Sequence, residues 1–155
     1  MDTKVKVAVV VTNSEGKVLL IKERLRSKPH AFWNVMKGTY DGGETIFECA
    51  IRECNEEASV AVTLVSLLGV YISEQEDKMR VQFNFLASTN DAAQVAAEES
   101  QQMFDECIEE VRWFAKDEIT LLVPEDFVSY RAYQLLQDWM SGQSFPLESV
   151  KRVSM

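Results

Sequence analysis

The stretch from Gly38 to Val60 puts two competing demands on one short piece of chain. Phe47, Ala50, Ile51, Cys54 and Ala58 recur at helical spacing and predict an amphipathic helix over Thr45 to Ala58. Glu53, Glu56 and Glu57 stand at i, i+3 and i+4 on that helix, so they share one side of it. At about 100° per residue they fall within an arc of about 100°, away from the centre of the apolar stripe. One side of the helix must therefore pack while another presents carboxylates. Three clustered carboxylates repel, and a divalent cation between them is the simplest reason to keep them together. Gly38, Gly42 and Gly43 predict a sharply bent loop upstream, whose N–H groups can approach an anion. Arg52 is the one basic residue on the helix and can reach back about two turns to brace that loop through Glu44.

The flanking elements predict a single domain over residues 1–155. Val5 to Thr12 and Val18 to Glu23 read as a strand hairpin, and Ala31 to Val35 as a short aromatic strand. Val62 to Ser73 and Met79 to Ala87 read as two long strands, and Glu110 to Phe114 as a last one. Lys116 to Leu121 predicts a short helix. Pro124 opens a C-terminal helix over about 125–140, with Phe127, Tyr130, Leu135, Leu136 and Trp139 as its packing residues and a short tail after Gly142. Asn90 to Phe104 is polar and acidic and predicts a variable loop.

Charge narrows the function classes. With 25 acidic and 16 basic residues the formal net charge is −9, a poor fit to nucleic-acid backbones or anionic membranes. An anionic small molecule remains compatible if metal ions neutralise the site locally. No apolar run has the length of a membrane span, and Met1 to Lys4 shows no signal-peptide layout, so a cytoplasmic location is expected. Cys49, Cys54 and Cys107 lack metal-type spacing and read as reduced thiols. His30 is the single histidine, which excludes multi-histidine zinc sites and leaves a Ser-His-Asp system little to stand on. Carboxylates select Mg²⁺, with Mn²⁺ as an alternative, and such ions suit water attack on a diphosphate. The bland alternative is a solvated acidic helix face, usually laced with more than one lysine or arginine.

Gly38, Glu44, Arg52, Glu53, Glu56, Glu57 and Val60 match the signature G-x5-E-x7-R-E-U-x-E-E-x-G-U, where U is bulky and apolar, and the segment closely resembles that of the Nudix hydrolases. The resemblance extends to the strand order on both sides of it. It implies an α/β fold, a Nudix-type α/β/α sandwich around a mixed β-sheet. It also implies Glu53, Glu56 and Glu57 as Mg²⁺ ligands, Glu53 as the residue that orients or deprotonates water, and Glu44 with Arg52 as a bracing ion pair. A further acid from the loop before the final strand is expected, with Glu98, Glu99, Asp105 and Glu106 as candidates. Ser59 stands where the signature has glycine, at a cost on the order of 1 kcal/mol if that residue needs a positive φ.

The substrate class that follows is a nucleoside diphosphate linked to another moiety, such as a nucleoside triphosphate or a nucleotide sugar. Gly38, Lys37 beside the glycine loop, and Arg24 in the basic loop from Lys22 to Lys28 are the substrate-binding candidates. Trp33, Phe83 and Phe85 are weighed as base-stacking residues against a role in the core. No nucleic-acid or membrane partner is expected, and self-association into a homodimer stays open. The runner-up is a non-catalytic nucleotide-binding module acting as sensor or scaffold. A prenyl-diphosphate isomerase is disfavoured by the lone His30.

Overall fold

The computed structural model describes residues 1–95, 101 and 107–155. Its framework is a mixed sheet of seven strands: β1 (Asp2–Thr12), β2 (Val18–Arg24), β3 (Ala31–Asn34), β4 (Met36–Thr39), β5 (Thr63–Gln75), β6 (Lys78–Ser88) and β7 (Ile108–Phe114). Among the described residues three α-helices accompany it: α1 (Ile46–Ala58), α2 (Lys116–Thr120) and α3 (Tyr130–Met140). The four candidate acids Glu98, Glu99, Asp105 and Glu106 lie outside the described residues.

β1 organises the sheet because its β-branched run can be buried on both faces. It pairs with β6 in parallel over its whole length, from Asp2↔Lys78 to Thr12↔Ser88. Its other edge is shared. Lys6 to Val9 pair antiparallel with β4, and Thr12 alone meets Val18 of β2. The sheet therefore forks at β1, and β2 continues with β3 on one edge and β7 on the other. Alternation along β1 then divides the core in two. Val7, Val9 and Val11 pack with Cys49, Ala50, Cys54 and Ala58 of α1. Ala8 and Val10 pack on the opposite face with Ala132, Leu135 and Leu136 of α3. Burying each of those leucines contributes about 1.5–3 kcal/mol. The result is the expected α/β sandwich.

The ends of α1 are set locally. Thr45 Oγ1 accepts from Glu48 N–H at 3.1 Å, and Glu48 Oε1 accepts from Thr45 N–H at 2.9 Å, a reciprocal capping box. At the other end Ser59 adopts φ 57°, ψ 35°, the left-handed conformation that glycine takes without steric penalty.

Two expectations need correction. The C-terminal helix does not run over 125–140. Pro124–Asp126 forms a single 3₁₀ turn, Phe127 is extended, and helix α3 starts at Tyr130 behind the N-cap Ser129. The reason is a competing pairing: Val128 N–H donates to the Trp33 carbonyl at 2.9 Å, and Phe127 bridges to Trp33 beside β3. Tyr130 is consequently 64% exposed and does not pack as expected. The second correction is that Gly38 lies in β4, a strand, rather than in a bent loop. Gly42 and Gly43, at φ +88° and +77°, do make the bend.

Ser59→Gly is expected to stabilise the protein by about 1 kcal/mol, since the left-handed residue then carries no Cβ penalty. Thermal denaturation should show a rise of about 2–4 °C for a chain of this size. An unchanged or lower midpoint would mean that the serine side chain compensates its backbone strain.

Candidate active site

The site forms where α1 crosses β4. In β4, Gly38 is registered with Val7 and Lys37 with Ala8, so the two neighbours face opposite sides of the sheet. Gly38 faces α1. A Cβ built on it would stand 2.1 Å from both Cδ and Oε1 of Glu53, which no side chain tolerates. Gly38 is thus required as clearance for the Glu53 carboxylate rather than for backbone bending.

That contact explains a rotation of α1 relative to its apolar pattern. Ile51 is 38% exposed, against the expectation that it packs, while Glu53 and Glu57 are buried at 8% and 3%. Two of the three glutamates thus point into the protein beside β4, and Glu56 is half-buried. A buried carboxylate must be paired or hydrogen-bonded, and the structure supplies partners for each. Arg52 Nη2 donates to Glu44 Oε1 at 2.7 Å, and Nε lies 3.2 Å from both Glu44 oxygens. Arg52 Nη1 reaches Glu53 Oε1 at 3.0 Å and both Glu56 oxygens at 3.1 Å. Glu57 Oε1 accepts from Lys37 N–H at 2.8 Å. With 38% of its side chain exposed, Arg52 is partly screened by water, so its contribution is mainly to position the acids.

The same contacts set proton affinities. The hydrogen bonds from Arg52 hold the Glu44 carboxyl below the usual carboxylate range. Glu53 moves the other way: burial raises its pKa, with Arg52 opposing and Glu56 adding to the rise. Arg52 itself is pushed further up, chiefly by its bonds to Glu44. Burial lifts the Cys49 thiol to about 12, so it is a protonated packing group beside the site.

The other candidates are placed as follows. Lys37 Nζ is 3.5 Å from Glu23 Oε1, on the far side of β4 from Glu53, and Asn34 Nδ2 donates to the other Glu23 oxygen at 3.1 Å. Arg24 is engaged with Glu109 at 2.6 Å and with the Pro29 carbonyl at 3.3 Å rather than with the carboxylate network. Trp33 and Phe85 are core residues at 8% and 0% exposure. Lys6 was not singled out from the sequence. It sits two residues before Ala8 on the Lys37 face, bonded to Thr39 Oγ1 at 2.5 Å, and burial lowers its pKa. A lysine interrupting the apolar run of β1 was the available signal.

Glu53, Glu56 and Glu57 form an all-oxygen donor set of the kind that suits a hard divalent cation. Among the described residues no three acids, thiols or imidazoles are already drawn around one point. Arg52 Nη1 holds Glu53 and Glu56 together, while β4 holds Glu57. The set fits a metal chemically, with the guanidinium providing positive charge to two of its members.

The NUDIX domain family model matches residues 2–136. Phosphatase NudJ of Escherichia coli strain K12 is 30% identical over 145 residues, covering 90% of this chain and 86% of that protein. A NUDIX hydrolase from Nitrosomonas europaea superposes with TM-score 0.79 at 22% identity, covering 98% of both chains. The NUDIX domain of Shewanella oneidensis NrtR, solved with ADP-ribose, superposes with TM-score 0.69 at 15% identity, covering 92% of this chain and 89% of that one.

Two outcomes follow from the buried Glu53. Gly38→Ala must displace its carboxylate, so turnover should fall at least tenfold, about 1.4 kcal/mol in barrier, while circular dichroism still reports a folded protein. Wild-type turnover would show that Glu53 relocates harmlessly. The second concerns pH. Because the folded-state pKa of Glu53 is raised, its stabilising contribution is present below about pH 4.3 and is lost as pH rises through the folded value. Urea denaturation without metal should therefore show the stability of Glu53→Gln, relative to wild type, improving from pH 4 to pH 7. The opposite trend would mean that Arg52 outweighs burial.

Proposed function

The chain belongs to the NUDIX domain family and is a Nudix hydrolase, and from that premise we propose that it hydrolyses, with Mg²⁺, a phosphoanhydride bond in a nucleoside diphosphate linked to another moiety. The observation that carries this reading is the burial of Glu53 across Gly38 with Arg52 at 3.0 Å. Such placement costs stability and suits a group with work to do on a proton.

Glu53, Glu56 and Glu57 would hold the ion. Bound there, Mg²⁺ would acidify a water and offset negative charge on the leaving phosphate. Glu53 is suited to accept the proton of the attacking water, because burial raises its proton affinity toward the working pH. Arg52 keeps Glu53 oriented through Nη1 while its other nitrogens anchor on Glu44, so loop and helix are locked as one body. Glu44 stays ionised under that contact, as a brace must. Lys37, through its side chain, and Gly38, through its open backbone, are proposed to meet the substrate phosphates, with Arg24 at the rim. Mn²⁺ would substitute for Mg²⁺, and free Cys49, Cys54 and Cys107 support a reducing compartment, the cytoplasm.

Glu53→Gln is expected to lower turnover of a nucleotide or nucleotide-sugar panel by about 10²–10⁴-fold, the usual contribution of a general base. EDTA should abolish turnover, and added Mg²⁺ or Mn²⁺ should restore it. Mg²⁺ should also raise the melting temperature of the wild type through linkage, and raise it less in the variant. Nucleotide binding without turnover under either metal would instead identify a non-catalytic binding module.

A further inference from the structure

On the face of β4 opposite Glu53, a cavity of about 200 Å³ is lined by Lys6, Lys37, Arg80 and Arg131, together with Asn34 and Gln82. Among the described residues no carboxylate lines it, although acids outnumber bases 25 to 16 in the whole chain. The register explains the convergence. Lys6 is paired with Gln82 across β1 and β6, and Arg80 follows two residues earlier on the same face of β6. Arg131 descends on the cavity from the first turn of α3.

This arrangement is costly. Like charges repel across the cavity: Arg80 and Lys37 both depress the Lys6 pKa, and Arg80 depresses that of Arg131. A cation in the first turn of a helix also opposes the helix dipole. The Nε of Arg131 is buried and has no hydrogen-bond partner among the described residues. A buried donor without an acceptor forfeits its hydration with nothing in return. Lys37 does have Glu23 at 3.5 Å, whereas Lys6 donates to the neutral Thr39 hydroxyl. Arg80 and Arg131 also line an adjoining cavity of about 390 Å³, but Asp2 and Glu74 share that one, so its charge is mixed.

We propose that this cavity receives an anionic arm of the substrate, so that the moiety beyond the scissile diphosphate carries its own phosphate monoester. The inference rests on the hydrolase reading for the position of the diphosphate, beside Glu53 at the edge of β4. A phosphate there would supply the acceptor that Arg131 Nε lacks and would neutralise Lys6 and Arg80 together. Guanidinium forks are well matched to phosphate oxygens. A neutral sugar or base would bring no counter-charge to Lys6, Arg80 and Arg131. Lys37 lies between the two halves of the site, with its backbone N–H on Glu57 and its side chain lining the cavity, and so joins the carboxylate network to the anion pocket.

The test compares diphosphates that differ by one phosphate monoester, NADP⁺ with NAD⁺ and coenzyme A with dephospho-coenzyme A. Binding is measured by calorimetry on the wild-type protein in EDTA, so that hydrolysis does not intervene. The phosphorylated member of at least one pair should bind about tenfold tighter. Arg80→Gln and the double variant Arg80→Gln/Arg131→Gln should erase that preference while leaving affinity for the unphosphorylated member within about twofold. Equal affinity in both pairs, or a preference that survives the single and double variants, overturns the proposal. Parallel assays with Mg²⁺ separate the two readings. A tenfold binding preference without turnover supports the pocket and removes the hydrolase reading, whereas ready turnover of both members with equal affinity sinks the anionic arm alone.

Discussion

The guanidinium of Arg52 lies among three carboxylates, and the local architecture follows from keeping it there. It is fixed on Glu44 through two nitrogens and spends the third on Glu53 and Glu56. Without it, a buried Glu53 would face Glu56 with no counter-charge on the helix. With it, α1 can turn two glutamates toward the protein at a tolerable cost. Gly38 completes the arrangement from the strand side by leaving room for the Glu53 carboxylate. Helix and strand are therefore each shaped by what the other presents.

β1 serves both halves of the molecule. Its alternating side chains bind α1 on one face and α3 on the other, and β4 hangs from its middle. The same alternation places Gly38 with the acids and Lys37 with the cations. β4 thus separates an acidic face from a basic one.

The chain's membership in a hydrolase family rests on the domain match and on a relative 30% identical over most of both lengths. The solved structures, at 15% and 22% identity, show the fold. Lys6, Arg80 and Arg131, which line one cavity, lie outside the signature. None belongs to a recognisable motif, because they come from two strands and a helix that meet only in the folded protein. Ser59 is a local departure of another kind, a serine held at φ 57° where the signature has glycine.

The long strands and the amphipathic helix that follows the glycines were legible in the sequence, because each depends on spacing within a few residues, whereas β4 was read as part of a bent loop. The α1 position followed from the apolar repeat, and the structure adds the capping box of Thr45 and Glu48. Contacts between distant segments decided the rest. Periodicity put Ile51 in the packed stripe, yet the rotation of α1 was set by β4, which took in Glu53 and Glu57. Propensity extended the last helix back to residue 125, yet Trp33 captured Phe127 and Val128 as extended chain. A glycine's meaning likewise depends on its neighbour: Gly42 and Gly43 bend the chain by themselves, whereas Gly38 is explained only by a carboxylate fifteen residues away in sequence and in contact in space. Local chemistry determined which groups exist, and tertiary packing determined which way they face, because facing is a property of pairs of elements and no single segment carries it.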